Sequence, residues 1–288
     1  MQPLSERVLA ELKAKKMEKE SPILVRIFKE EAELEVWKQD DSGRFALLRT
    51  YPICRWSGQL GPKFKTGDRQ APEGFYTITP GLMNPDSNHY LAINTGFPNA
   101  YDQANGRTGT FLMIHGGCSS AGCYAMTDEQ IAEIYALARE AFLGGQPSFQ
   151  LQAYPFRMTP LNMARHHTSP HMAFWKMIKQ GNDYFEVTHL EPRVDVCENR
   201  YIFGIGSTDN RADRCPAYKI PEDIAAAVRE KQRRDETEIA ELINRGIPRE
   251  PVTTGVDGGM NPTFLAALNS HGGPGAIIRT TSGTIPPT

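Results

Sequence analysis

The sequence predicts an α+β fold with a β-rich core, a few packed helices and a helical or irregular C-terminal extension. Six short runs of β-branched and aromatic residues precede residue 116, and clusters of Gly, Pro, Asp and Asn separate them. No long helical pattern interrupts these runs, whereas helical patterns dominate later in the chain. Strands grouped ahead of helices favour an antiparallel or mixed sheet over alternating βαβ units.

The N-terminal part of the chain supplies most of the predicted strands. Residues 1–21 mix Leu and Val with Lys and Glu at helical spacing, which indicates a charged helix or a frayed arm. Several of the runs that follow alternate in polarity, as half-buried strands do. The six predicted strands are ILVRIFK, AELEVWKQ, RFALLRTYPI, GFYTIT, HYLAINT and TFLMIH.

Helical patterns follow these strands. The first begins after Thr127, where Gln130 completes a capping box, and ends at the two glycines from Gly144 onward. A strand, SFQLQAYPF, and a helix, HMAFWKMIKQG, come next, and we expect that helix to end at Gly181. The stretch PEDIAAAVREKQRRDETEIAELINRG predicts a solvent-exposed amphipathic helix. Residues 250–288 are rich in Gly, Pro and Thr, which is typical of a flexible tail.

Composition excludes several classes of protein. The 32 Lys and Arg residues nearly balance the 34 Asp and Glu residues, so the formal net charge is −2. A protein that neutralises phosphates usually has a basic excess, so we expect no nucleic-acid partner. No apolar run approaches the roughly 20 residues of a transmembrane helix, so we expect a soluble chain without a transmembrane segment. The first 21 residues lack the apolar stretch of a secretory signal, so the protein is either cytosolic or has lost its export signal.

The residues that carry chemistry are concentrated in FLMIHGGCSSAGCYAMTDEQ, residues 111–130. A predicted strand leads His115 into a glycine-rich turn, and Cys123 lies just before the predicted helix. Backbone N–H groups in such a turn, with the positive end of the helix, favour a thiolate and can stabilise an oxyanion. The two side chains, eight positions apart, therefore predict a nucleophile and its general base.

Other interpretations of this segment are open at the level of sequence. Cys123 could be a small buried residue, with His115 at a strand end. Zinc could bind His115, Cys118 and Cys123, or Cys118 and Cys123 could form a disulfide. Cys197 and Cys215 would form a plausible disulfide in an exported protein. The chain contains an odd number of cysteines, so at least one thiol lacks an intramolecular partner; they are Cys54, Cys118, Cys123, Cys197 and Cys215.

The same segment resembles the active-site signature of the L,D-transpeptidase catalytic domain (YkuD) family, in its YafK-type branch. That signature reads His-Gly-x-Cys-x-Ser-x-Gly-Cys, then an aromatic residue and Ala-Met-Thr, and residues 115–127 match it as HGGCSSAGCYAMT. The resemblance implies a YkuD-like catalytic domain over residues 22–188, between an arm of residues 1–21 and a helix-containing extension of residues 189–249. It extends through RIFKEEAELEVWK, YPICRWSGQLGPK, GDRQAPEGFYTI, GFPNAYDQANGRTG and YPFRMT.

The resemblance implies a Cys-His enzyme that acts on peptidoglycan stem peptides at meso-diaminopimelate, without a metal or other cofactor. Cys123 would be the nucleophile that forms a thioester, and His115 would be the general base and acid. The Gly116 carbonyl would orient the imidazole, and backbone N–H groups around Gly122 would form the oxyanion hole.

Substrate-binding residues are expected around this pair. The signature residues Ser120 and Tyr124 are candidates, and Arg157 could hold a substrate carboxylate bidentately or could be a structural arginine. Most family members have a second His and an Arg or Asn where this chain has Ala121 and Ala125. We therefore expect a different acceptor pocket.

Members of the YafK-type branch are associated with hydrolytic release of outer-membrane lipoprotein from peptidoglycan. The expected partners are thus peptidoglycan stem peptides and wall-linked lipoprotein, and the expected location is the periplasm or cell envelope. Hydrolysis and cross-link formation differ only in whether water or an amine resolves the thioester. The alternative function is a non-catalytic wall-binding or zinc-stabilised module that uses His115, Cys118 and Cys123 structurally.

Overall fold

Two five-stranded sheets form the centre of the part of the chain that the structure describes. The computed structural model describes residues 2–205, 208–209, 215, 217–249 and 259–271. The strands are β1 (Ile23–Phe28), β2 (Glu33–Gln39), β3 (Phe45–Pro52), β4 (Arg55–Trp56), β5 (Gly74–Ile78), β6 (Met83–Ser87), β7 (Tyr90–Asn94), β8 (Met113–His115), β9 (Tyr124–Ala125), β10 (Phe149–Tyr154), β11 (Arg193–Cys197), β12 (Arg200–Gly204), β13 (Thr208–Asp209) and β14 (Ala217–Tyr218). The helices are α1 (Glu6–Ala14), α2 (Ala100–Ala104), α3 (Asp128–Leu143), α4 (Pro160–Arg165), α5 (Met172–Thr188), α6 (Glu222–Asn244) and α7 (Pro262–His271), with a 3-10 turn at Pro80–Leu82.

Both sheets mix parallel and antiparallel pairs. The first has the order β3-β2-β1-β10-β5, with β1 and β10 parallel and the other neighbours antiparallel. The second has the order β4-β9-β8-β7-β6, with β8 and β9 parallel. The predicted α+β fold with a mixed, β-rich core is confirmed, and the six predicted strands correspond to β1, β2, β3, β5, β7 and β8.

The central strand β1 is buried along its whole length, and helices cover both faces of its sheet. Val25 and Ile27 belong to a core cluster that also contains the apolar face of α3. On the other face, Leu24 packs with Phe185 of α5, and Phe28 joins the aromatic cluster around the same helix. This two-sided burial explains why ILVRIF is a nearly continuous apolar run without alternation.

A buried ion pair fixes the long segment between β4 and β5. Lys29 Nζ donates to Glu73 Oε1 at 2.9 Å, and both side chains are completely buried. The other carboxylate oxygen of Glu73 accepts the indole N–H of Trp175 at 2.9 Å. Removing one partner of such a pair leaves an uncompensated buried charge and costs about 3–5 kcal/mol. Lys29 Nζ also donates to the carbonyls of Gln59, Gly61 and Ala71.

Helix α3 agrees with its prediction, whereas α5 does not end where we expected. Thr127 and Gln130 form the predicted reciprocal capping box. Helix α5 continues past Gly181 and ends at Thr188, where it is capped by His189, which has a left-handed φ of 53°. A Cβ atom at Gly181 would overlap the rings of Phe75 and Phe203. The glycine is therefore required for close packing against two aromatic rings, and the prediction that it ends the helix is wrong.

The predicted N-terminal arm and the exposed amphipathic helix both contact the rest of the protein. Val8 and Leu12 of α1 are buried in the main core cluster, so this segment is a packed helix. Helix α6 packs against α4 and α5, and Lys179 Nζ of α5 donates to Asp235 of α6 at 2.5 Å. Val228 of α6 is buried as well. One face of the predicted exposed helix is therefore covered.

The predicted flexible tail falls largely outside the described residues. Residues 250–258 and 272–288 of this tail lie outside the described residues. Between them, α7 packs Phe264 against Cys54. Among the helices of the described residues, none is both long enough and apolar enough to span a bilayer.

The packing at Gly181 generates a stability prediction. Gly181→Ala should lower the free energy of unfolding by about 1–3 kcal/mol, because overpacking at the two rings outweighs the better helix propensity of alanine. Urea denaturation measures the change. The exposed neighbour provides the control, since Gln180→Ala should stay within about 0.5 kcal/mol of the original protein. Equal stabilities for the two variants would contradict the packing role of Gly181.

Candidate active site

A short connection between two parallel strands contains most of the predicted site. Strand β8 ends at His115, and only residues 116–123 separate it from the start of β9, its parallel neighbour. Parallel neighbours are usually joined by a dozen or more residues. The connection turns tightly, with φ values of 80° at Gly117, 48° at Cys118 and 135° at Gly122. A left-handed non-glycine residue such as Cys118 is uncommon and marks local strain.

The strand register brings His115 and Cys123 near each other. Ile114 pairs with Tyr124, so extending the register back by one residue sets Cys123 beside Met113. The backbone N–H of Met113 does contact Cys123 Sγ, at 3.4 Å. Side chains two residues apart on a strand share a face, so His115 lies diagonally across from Cys123. Strand spacing and rise put their Cα atoms about 8 Å apart, which an imidazole and a thiol can bridge together.

His115 is held as a neutral imidazole. The residue is 3% exposed, and Nδ1 lies 2.6 Å from the carbonyl of Gly116. A carbonyl can only accept, so Nδ1 carries the proton and Nε2 has a free lone pair. The ring of His89 stacks on His115 with centroids 4.5 Å apart. Burial lowers the pKa of His115, the Gly116 carbonyl opposes this shift, and the proximity of His89 lowers the pKa further.

Cys123 is a half-buried free thiol. Its sulfur accepts from the Met113 N–H, and the thiol donates to the carbonyl of Phe111 at 3.6 Å. Burial raises the pKa of Cys123 above its ordinary value, while the Met113 N–H and the charge of Lys63 act in the opposite direction. The thiol form is therefore favoured, and the thiolate expected from the sequence is wrong.

The turn that precedes Cys123 is organised by Ser120, which explains the missing thiolate stabilisation. Ser120 Oγ accepts from the N–H groups of Cys123 at 3.0 Å and Gly122 at 3.4 Å, and it donates to the Cys123 carbonyl at 2.7 Å. Ser57 Oγ donates to the same hydroxyl at 2.5 Å. These N–H groups thus stabilise the turn. The Ser120 hydroxyl is fully used inside it, which favours a positioning role over substrate contact.

The disulfides decide between the interpretations of Cys118. Cys118 is bonded to Cys54, with Cα atoms 5.4 Å apart, so it does not pair with Cys123. Its sulfur is not a thiolate, so His115, Cys118 and Cys123 do not form a zinc site. Within the described residues, no three His, Cys, Asp or Glu side chains converge where a metal ion could bind. The plausible Cys197–Cys215 disulfide is present, with Cα atoms 5.4 Å apart.

The other two predicted substrate-binding residues lie in structural contacts. Tyr124 is completely buried, and its hydroxyl donates to the Pro72 carbonyl at 2.6 Å. Arg157 lies at the first sheet and forms ion pairs with Glu33 at 2.5 Å and Glu35 at 2.7 Å. These contacts favour the structural alternative for Arg157 and a packing role for Tyr124.

Sequence reasoning missed His89, Phe111 and the partner of Cys118. His89 begins a predicted strand, and no sequence pattern connects it with His115, 26 positions later, on which its ring stacks. The odd cysteine count indicated a free thiol but not that Cys54, 64 residues from Cys118, would anchor the turn. Phe111 lies in a predicted strand, and no sequence pattern indicates its left-handed backbone conformation.

The fold and this segment together match a known domain. The family model described as the L,D-transpeptidase catalytic domain (YkuD) matches residues 24–143. The chain is also 50% identical over 182 residues to "Putative L,D-transpeptidase YafK" of Escherichia coli (strain K12), which covers 63% of this chain and 74% of that protein. The protein of the same name from Escherichia coli O157:H7 gives the same values. The chain therefore belongs to the L,D-transpeptidase (YkuD) family, as the resemblance implied.

Two solved structures are similar to this chain at low sequence identity. The helical cell shape determining protein Pgp2 from Campylobacter jejuni is 21% identical with a TM-score of 0.37, over 52% of this chain and 56% of that one. Bd1075 from Bdellovibrio bacteriovorus is 21% identical with a TM-score of 0.34, over 49% of this chain and 51% of that one. The chain thus spans about half of each structure. Family membership itself supports the coarse prediction of an L,D-transpeptidase-type enzyme that acts on peptidoglycan of the cell envelope.

The stacked ring of His89 gives a prediction about the pKa of His115. His89→Ala should raise that pKa, because the His115 ring becomes more hydrated and its charged form is penalised less. His89→Phe should raise the pKa of His115 less. The phenyl ring still covers the imidazole of His115, and only the charge of His89 is removed. NMR titration of the His115 ring protons measures both values. Identical His115 pKa values in the two variants would show that the stacked ring does not control hydration.

The disulfides give a prediction about stability. Replacing Cys54 and Cys118 together by serine should lower the free energy of unfolding by roughly 4 kcal/mol, and replacing Cys197 and Cys215 by roughly 3 kcal/mol, from the loop lengths of 64 and 18 residues. Urea denaturation without reductant measures both losses. Dithiothreitol should abolish most of each difference, and equal stability without reductant would contradict the prediction.

Proposed function

We propose that this protein is a cysteine-dependent peptidoglycan enzyme in which Cys123 attacks the carbonyl of a stem-peptide bond at meso-diaminopimelate. The observation that carries the proposal is that a free thiol, Cys123, and a buried imidazole, His115, flank the connection between the parallel strands β8 and β9, in the segment that matches the family signature. The other four cysteines, all described by the structure, are bonded in pairs. Cys123 is thus the thiol available for acyl transfer.

The reaction begins from a neutral pair. Because the pKa of Cys123 is raised and that of His115 is lowered, the resting site holds a thiol and an imidazole in place of an ion pair. Nε2 of His115 takes the thiol proton as the sulfur–carbon bond forms, and the imidazolium then returns that proton to the leaving amine. The Gly116 carbonyl keeps Nδ1 protonated throughout and fixes the orientation of the ring.

The oxyanion that forms on the attacked carbonyl needs donors near Cys123. The N–H of Gly122 has the longer of the two bonds to Ser120 Oγ, at 3.4 Å, so it is the donor most easily transferred to a ligand. Ser120 then keeps its bonds to Ser57 and to the Cys123 carbonyl, so the turn stays in place. This assigns Gly122 the oxyanion contact and Ser120 the support of that contact.

The thioester is resolved by water or by an amine. We propose hydrolysis, with release of wall-linked lipoprotein, as the main outcome, and cross-link formation as the outcome when an amine acceptor reaches the thioester. The two disulfides support a periplasmic location, because disulfides persist in oxidising compartments.

The test uses purified sacculi with and without bound lipoprotein, analysed by mass spectrometry of the released muropeptides. Cys123→Ala should abolish product formation, and His115→Ala should lower the rate at least about a thousandfold while the protein stays folded, because each removes a group acting in the transition state. The intact mass of the unaltered protein should show a thioester adduct that Cys123→Ala lacks. Full activity of Cys123→Ala would contradict the mechanism.

The pH dependence follows from the same pair. A group with a lowered pKa such as His115 stays neutral down to that pKa, so the rate should fall only below pH 6.5. Alkylation of Cys123 by iodoacetamide should keep rising above pH 9.0, because burial raises the thiol pKa. An alkylation midpoint near neutral pH would instead indicate a preformed thiolate.

A further inference from the structure

Phe111 has an unusual backbone conformation for its residue type. Its φ is 58°, in the left-handed region that favours glycine, and its side chain is 72% exposed. A bulky aromatic residue in this region is a genuine outlier. Exposure also means that its ring gains little from burial in the described protein. Neither backbone preference nor packing therefore explains a phenylalanine here, and strain of this kind concentrates at functional sites.

The residue after Phe111 is fixed in the interior of the protein. The carbonyl of Leu112 accepts from the N–H and the hydroxyl of Thr95 at 2.8 and 2.9 Å. The Leu112 side chain is buried and lies where a Cβ atom at Gly109 or Gly122 would contact it. Both the carbonyl and the side chain of Leu112 are thus held in the interior. The side chain of Phe111 lies at the surface.

The backbone of Phe111 lies at the nucleophile. Its carbonyl oxygen is 3.6 Å from Cys123 Sγ, so the exposed ring starts from a residue in contact with the reacting sulfur. The exposed apolar ring thus belongs to the residue whose backbone carbonyl contacts the proposed nucleophile. Such a ring contributes to binding only when a ligand covers it.

We propose that Phe111 is a substrate-contacting residue whose ring packs against the methylene groups of the diaminopimelate residue attacked by Cys123. The inference rests on the proposed function, because that residue supplies the carbonyl at Sγ and its side chain must lie close to the sulfur. Its three methylenes are the apolar part of an otherwise charged side chain. Covering them removes apolar surface of both partners from water, which corresponds to about a tenfold gain in kcat/KM when the cover is partial.

The experiment compares variants on a muropeptide with a diaminopimelate-containing tetrapeptide. Phe111→Ala should lower kcat/KM about tenfold, and Phe111→Tyr should keep it. Phe111→Gly should lower kcat/KM similarly while Tm stays level or rises, because glycine relieves the left-handed strain. Leu143→Ala is the matched control: this side chain is 73% exposed at the far end of α3, and it should leave kcat/KM unchanged.

Two further measurements separate contact from positioning. Iodoacetamide should alkylate Cys123 at the same rate in all these variants, and a loss parallel to that of kcat/KM would overturn substrate contact. On a tetrapeptide with diaminosuccinate in place of diaminopimelate, both amino acid ends are kept but the three methylenes are missing. The Phe111→Ala effect should therefore largely disappear. An equal effect on both peptides would overturn the proposal.

Failure of the inference and failure of the proposed function give different results. If the unaltered protein turns over the tetrapeptide and Phe111→Ala matches it, the inference fails and the function stands. If the unaltered protein turns over neither the tetrapeptide nor sacculi with bound lipoprotein, the function fails. Calorimetry of the tetrapeptide with Cys123→Ala protein then tests the contact directly: an unchanged Kd on adding Phe111→Ala would overturn it.

Discussion

The parallel pairing of β8 with β9 through only eight intervening residues, 116–123, is the constraint on which the site depends. A chain that must return to run beside itself in so few residues cannot use ordinary backbone angles throughout. It uses left-handed φ values at Gly117 and Cys118, the hydroxyl of Ser120 as an internal hydrogen-bond hub, and a covalent tether from Cys118. Because these contacts keep the connection short, Cys123 and His115, the two predicted reactive residues, lie diagonally across from each other.

The same tight turn affects the protonation states of Cys123 and His115. A tight turn with its N–H groups directed to a serine hydroxyl leaves the half-buried sulfur of Cys123 without strong donors, so burial dominates its pKa. His115 is buried as well and loses affinity for protons for the same reason. Two neutral groups are therefore the stable arrangement. Under the proposed mechanism, charge develops only when the carbonyl is present to receive the sulfur.

Local patterns in the sequence predicted the strands and the capping box of α3, because β-branched runs and cap residues act within a few positions. What the sequence could not predict depends on distant contacts. Gly181 resembles a helix end, and only the rings of Phe75 and Phe203 explain it as a packing position. The signature located Cys123 and His115, but burial does not favour the thiolate that the sequence predicts. The N–H groups of Gly122 and Cys123 bond to the Ser120 hydroxyl, a contact that the sequence pattern does not show.

Residues outside the family signature help to stabilise the turn that contains Cys123. Cys54, which anchors the turn through Cys118, is itself covered by Phe264 of α7. Asn261, just before that helix, donates to the carbonyls of Glu31 and Ala32 and bonds to the backbone of Ile53, next to the anchoring cysteine. A disulfide can restrain a turn only as firmly as its other end is held. Helix α7, far from the signature in sequence, therefore helps to hold in place the turn that contains Cys123.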